Sequence, residues 1–127
     1  MSVEPAAPRD DRTAHFLKLQ LWVVLTESVA PVAQLMSALD DHLDYMIDLE
    51  RRGLLFASGP LFGPGHVMTG RGLTILRAAS IKEAEALAAG DPFNARGFRT
   101  FTVQEWQLNE GSFTVTVRYS DQSYQVG

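Results

Sequence analysis

The spacing of apolar residues changes period between Phe16 and Leu61, and that change limits the possible folds more than any other feature. From Phe16 to Thr26, FLKLQLWVVLT, the residues Leu17, Leu19, Leu21, Val23 and Leu25 recur every second position on one face, as in a strand. The opposite face, Phe16, Lys18, Gln20, Trp22 and Val24, begins polar and ends apolar. After a turn, Pro31 suits the first turn of a helix. The apolar positions then become Val32, Leu35, Met36, Leu39, Leu43, Met46 and Ile47. At about 100° per residue these lie within about 60° of one stripe centre, so the spacing predicts a helix. Asp40, Asp41, Asp44 and Asp48 form its outer face, and Gly53 follows Arg51-Arg52 as a helix stop. His42 falls about 80° off the stripe centre, at the rim of the apolar face.

The remaining segments repeat that order. Leu54 to Leu61, LLFASGPL, is short, apolar and ends in Gly-Pro, as a buried strand does. Phe62 to Gly72, FGPGHVMTGRG, reads as a glycine-rich loop with His66 at its tip. Leu73 to Ala79 is a third strand. Ser80 and Glu83 form a capping box that opens the helix IKEAEALAA, which closes on Gly90. Asp91 before Pro92 is placed as an N-cap. Phe98 to Leu108 is a fourth strand, and Ser112 to Tyr119 a fifth, joined to it by the turn Asn109-Glu110-Gly111 as a hairpin.

Two β-α-β units followed by an extra strand predict an α+β, ferredoxin-like βαββαβ sandwich. Trp22, Val24, Trp106 and Leu108 are a poor choice for a sheet face left in water. Two sheets packed face to face in a homodimer would bury them. The expected organisation is a loose arm over residues 1–15, a domain over 16–120, and a polar tail over 121–127.

Composition excludes several function classes. The chain has 127 residues, a net charge of -4 and no cysteine. Its 11 Lys and Arg are scattered, which argues against nucleic acid as a partner. Without cysteine there are no disulfides, thiolate nucleophiles or Cys-ligated zinc. No apolar run reaches the ~20 residues that span a bilayer. The N-terminus has Glu, Asp and Pro where a signal peptide has basic and then apolar residues, so the expected location is the cytoplasm, with no membrane partner. The histidines at 15, 42 and 66 make no paired metal-binding motif. No glycine loop opens a helix in the dinucleotide pattern, and no Gly-x-Ser-x-Gly is present. No metal and no cofactor is expected.

The helical HLDYMIDLERRG, the strand LLFASGP, the strand GRGLTILRA, the helix IKEAEALAAGDPF and the closing FTVQEW together resemble the YCII-related family, over about residues 16 to 108. The resemblance implies a dimeric α+β barrel of ferredoxin-like protomers. It implies an active site made of a paired His and Asp, which match His42 and Asp91 here. The activities it implies concern small cyclic or aromatic compounds, such as removal of chloride from a chlorinated hydroquinone. Related barrels include muconolactone isomerases and small oxygenases. The chain departs from the family in its N-terminal arm, in the strand after Gly111 and in the loop around His66.

The expected function is a small cofactor-independent enzyme, an isomerase or a dehydrochlorinase-like lyase, acting on a cyclic or aromatic catabolite. His42 is its candidate general base and Asp91 orients it, because a carboxylate on one imidazole nitrogen fixes the tautomer and raises the basicity of the other. Backbone groups of Ser58, Gly59 and Pro60 are candidate contacts for a substrate carbonyl. Phe62, Phe93 and Met46 are candidate apolar walls, and His66 a candidate lid contact or second acid. The alternatives are a non-catalytic ligand-binding or assembly module on the same dimeric barrel, and a metal-free oxygenase.

Overall fold

Buried apolar residues on both faces, Leu21 on one and Trp22 and Val24 on the other, place a strand at the centre of the only large sheet among the described residues. The computed structural model describes residues 12–127; most of the expected N-terminal arm lies outside them. The elements are β1 (Leu19–Ser28), α1 (Val32–Ser37), α2 (Leu39–Arg51), β2 (Leu55–Gly63), β3 (Val67–Leu76), α3 (Ile81–Gly90), α4 (Pro92–Ala95), β4 (Arg99–Leu108), β5 (Val115–Val117) and β6 (Tyr124–Val126). They fall into two compact units. The larger, Gln20–Gln107, carries the four-stranded sheet and α1 to α4; the smaller takes Leu108–Gly127 with the described residues 12–19.

The sheet order is β2-β3-β1-β4, and β3 pairs antiparallel with both β1 and β2. This is the ferredoxin-like α+β arrangement predicted from element order. Its principal core lies between sheet and helices: Trp22, Val24 and Leu76 from the strands meet Met46 and Leu49 of α2 and Ala84 and Ala88 of α3. Trp22 also donates its indole N–H to the Ala78 carbonyl at 2.9 Å. Trp22 and Val24 therefore face the helices, contrary to the expectation that they line the sheet's second face. The register pairs Val23 with Ile75 and Leu25 with Leu73, so those residues share the opposite face.

The first helix departs from the predicted single rod. It breaks at Ala38, whose φ of -107° and ψ of 2° are not helical. Ser37 donates its hydroxyl to the Gln34 carbonyl at 2.6 Å, a local bond that competes with the helical ladder. The burial also differs. Leu35, Met46 and Leu49 are buried, but Val32, Met36, Leu43 and Ile47 are 45–67% exposed. The helix stop is as predicted: Gly53 has a φ of +74°, and the Leu54 amide reaches back to the Leu49 carbonyl at 2.9 Å.

Two further expectations are corrected. Phe62 to Gly72 is not a loop. β2 runs to Gly63, a single 3-10 turn spans Pro64–His66, and β3 begins at Val67. Pairing continues through this stretch, with a register shift between Leu61 and Phe62 and a Thr69 hydroxyl bonded to the Leu61 carbonyl, while Gly65 (φ +73°) in the turn and Gly70 (φ +75°) at the shift take left-handed conformations. Nor does the strand after Gly111 pair with β4. β5 pairs antiparallel with β6, drawn from the expected tail, and Thr114 and Gly127 exchange both backbone bonds. The alternation of Phe113 to Tyr119 correctly marked extended chain but carried no information about which segment it would pair with.

Candidate functional site

His42 stands in the first turn of α2, one turn beyond the break at Ala38; its amide bonds to the Ala38 carbonyl. Asp91 ends α3 and caps α4. Pro92 fills the first position of α4, where no N–H is needed. The carboxylate is 4% exposed, and its Oδ1 accepts the Phe93 amide at 3.0 Å. The same oxygen lies 2.8 Å from His42 Nδ1. A carboxylate only accepts, so Nδ1 carries a proton, and in the neutral imidazole Nε2 keeps its lone pair. Phe93 completes the cluster: its ring stacks on the imidazole, centroids 4.2 Å apart and planes 18° from parallel. The His42 side chain is 14% exposed, and its outer edge opens on a cavity.

That cavity, about 840 Å³, lies between the α1–α2 pair and the β2–β3 hairpin. The exposed stripe residues Val32, Met36, Leu43 and Ile47 line its helical side, which explains why a helix apolar by pattern is open by structure. Met46, Ser58, Gly59, Pro60 and Phe93, singled out in the sequence, also line it. Ser58 Oγ is 3.1 Å from Thr74 Oγ1. Phe62 and His66 do not line it: their rings stack on each other at the hairpin turn, centroids 3.9 Å apart, because the segment is paired strand rather than a loop free to fold over the helix. Asp91 is not among the lining residues either; it stands behind His42 and Phe93, which are.

Arg99, the first residue of β4, was not singled out. It enters the cavity with its guanidinium carbon 4.6 Å from the Phe93 ring centroid. The sequence held one sign of it: Arg99, Phe101 and Val103 share strand parity, and the latter two pack on the core, so a cation occupied a core-facing position. Burial pulls the Arg99 guanidinium below its ordinary value, with the Asp91 charge acting in the opposite direction. Tyr45, one turn along α2 from His42, is shifted the other way. Burial raises its phenol, Asp91 adds to the shift, and its hydroxyl donates to the Leu87 carbonyl at 2.7 Å. Among the described residues, no three metal-binding side chains cluster. No helix among them is long and apolar enough to cross a membrane.

A buried carboxylate, an oriented imidazole and a mostly apolar cavity form an arrangement able to take a proton from a bound small molecule and hold it. Comparison with known proteins gives two findings. The family model described as the YCII-related domain matches residues 21–107. Among solved structures, the chain is similar to 5-chloro-2-hydroxyhydroquinone dehydrochlorinase (TftG) from Burkholderia phenoliruptrix AC1100, in complex with 2,5-dihydroxybenzoquinone. The two share 25% identity over 68% of this chain and 92% of that one, with a TM-score of 0.57. No curated protein matches the chain.

Proposed function

The chain belongs to the YCII-related domain family, and from that premise we propose that it is a small-molecule catabolic enzyme moving protons on a cyclic or aromatic compound. One observation carries the reading: His42 Nδ1 meets Asp91 Oδ1 at 2.8 Å while the imidazole lines an 840 Å³ cavity. The similarity to a dehydrochlorinase of a chlorinated hydroquinone supports the substrate class.

In this reading His42 Nε2 removes a proton from a ring hydroxyl or from a carbon beside a carbonyl. In an elimination, the released electron pair forms the new double bond and expels the leaving group as an anion. The loss of HX is thus one proton on His42 and one X⁻, and the imidazolium returns its proton to solvent. In an isomerisation the same proton goes back to a different carbon. Asp91 holds the tautomer and stabilises the imidazolium. Side chains alone suffice for such transfers, so no resident cofactor is invoked. Ser58, Gly59 and Pro60 border the substrate, and Phe93 and Met46 supply apolar wall.

Pairing of two protomers into a barrel belongs to the same proposal. Val23, Leu25 and Leu73 remain only half-buried on the sheet face away from the helices, which supports a second sheet there. Sedimentation showing only monomers at micromolar concentration would remove this part.

The catalytic reading is tested by screening chlorinated hydroquinones and cyclic enol-lactones for chloride release or isomer formation. His42→Gln is expected to lower turnover by about 10²–10⁴-fold, the usual worth of a general base. Undiminished turnover in that variant sinks the mechanism. Binding without turnover in the wild type would instead favour the non-catalytic ligand-binding module.

A further inference from the structure

Arg99 carries a charge into a mostly apolar cavity without a matching anion. It forms no ion pair among the described residues, and its Nε is buried with no hydrogen-bond partner. The other ionisable groups lining the cavity are His42 and Glu50. Glu50 is exposed and makes no bridge to it. Among the described residues no hydrogen bond or ion pair joins Asp91 to Arg99, so Asp91 acts on it through its field. A lysine could shed its proton in such surroundings; a guanidinium does not. The chain has nonetheless made room for it. A Cβ on Gly72 would lie 3.2 Å from Arg99 Nη1 and 2.9 Å from Thr26 Oγ1, so a side chain there would crowd the guanidinium. Phe93 fixes the cation on its ring and stacks on His42 as well, so base and cation are held by one aromatic plate.

We propose that Arg99 is the anion-recognising group of this cavity, and that the ligand is a small ring compound bearing an anionic oxygen conjugated to the ring, an enolate or phenolate. The planar donor fork meets that oxygen while His42 faces the ring. An oxygen that carries negative charge as a proton leaves is also the one whose pairing with Arg99 strengthens during reaction. This assignment rests on the proposed site for its location but concerns binding, so the two can fail separately.

The test is calorimetric titration of two probes, 2,5-dihydroxybenzoquinone, whose hydroxyls ionise as vinylogous acids, and its neutral dimethyl ether. Arg99→Gln is expected to weaken the anion by about 10–100-fold, as for a lost charge-assisted hydrogen bond, and to leave the ether unchanged. Arg99→Lys is expected to recover part of the loss. Gly72→Ala, which crowds the guanidinium but leaves the charge, is expected to weaken the anion selectively too. Equal loss for both probes, no loss in Arg99→Gln, or no measurable binding of the anion to the wild type overturns the assignment. Selective anion binding that persists in His42→Gln, with no turnover found in any protein, upholds Arg99 and sinks the enzyme reading. Turnover that depends on His42 but not on Arg99 does the reverse.

Discussion

The ring of His42 lies flat against Phe93, 4.2 Å between centroids, while the amide of Phe93 and the imidazole Nδ1 share one oxygen of Asp91. A residue that caps a helix thus also sets the tautomer and tilt of the histidine, and the capped residue supplies the surface on which the imidazole rests. The one-turn helix α4 is short, but it fixes both ends of this triangle.

Asp91→Asn and Asp91→Ala separate the two duties. Asn caps helices as well as Asp and its Oδ1 still accepts from Nδ1–H, so the Asn variant is expected to keep most of the wild-type melting temperature while losing the negative charge that stabilises the imidazolium. The Ala variant is expected to lose both, with the cap alone worth about 1 kcal/mol and the unpartnered buried histidine adding to it. Thermal melts beside turnover on any substrate found would show it. Equal melting of the two variants, well below wild type, would mean that the cap contributes little and the negative charge is the structural requirement.

How far the sequence revealed this arrangement depends on what kind of information each part needed. The element order, the Gly53 stop, the Ser80 N-cap and the cap at Asp91 follow from local chemistry, and each has the geometry its residues predict. Strand pairing does not follow: alternation marked Phe113 to Tyr119 as extended but did not name β6 as its mate. The helical stripe misled for a related reason. An apolar face lining a cavity has the same pattern as one lining a core, and only the structure shows that Val32 and Ile47 open on space while Leu49, outside the stripe, is sealed. Arg99 was hidden by context, because a lone cation in a strand usually points to solvent. It took Phe101 and Val103 packing on the core to show that its parity pointed inward.

Leu49→Ala and Ile47→Ala turn that distinction into a measurement. Leu49 is fully buried against the sheet, and its truncation is expected to destabilise by about 2–5 kcal/mol. Ile47 is 45% exposed on the cavity side and is expected to lose well under half as much, with its main effect on ligand affinity. Denaturant titration of both variants gives the comparison. Similar losses would mean that the cavity side of the helix is covered in solution.

Gly90 is required by a neighbour rather than by its own dihedrals. A Cβ there would run into the Tyr45 hydroxyl, which is already held by the Leu87 carbonyl and cannot swing aside freely. Gly90→Ala is therefore expected to destabilise by about 1–3 kcal/mol, although alanine is the better helix former. Combining it with Tyr45→Phe, which removes the colliding oxygen, is expected to recover part of the loss. A Gly90→Ala chain as stable as wild type would show that α2 and α3 can part without strain.

Tyr45 also gives the fold an alkaline limit. Burial, then the charge of Asp91, holds its phenol above the ordinary 10.0. Below that value the phenol is neutral in both folded and unfolded chains, so the stabilising contact with Leu87 is fully present. As the pH rises through the raised folded value, the folded chain must ionise a phenol in surroundings that oppose it, and the contribution is lost. Tyr45→Phe lacks both the hydrogen bond and the titration. It is expected to be less stable than wild type near pH 8, by about 1 kcal/mol for the missing bond. That gap should narrow as the pH passes about 10 and the wild-type phenol begins to resist ionisation in the fold. Denaturant midpoints for both proteins, taken at intervals from neutral to alkaline pH, decide it. A gap that stays constant across the series would mean that Tyr45 ionises equally easily in both states and that burial between α2 and α3 does not hold its proton.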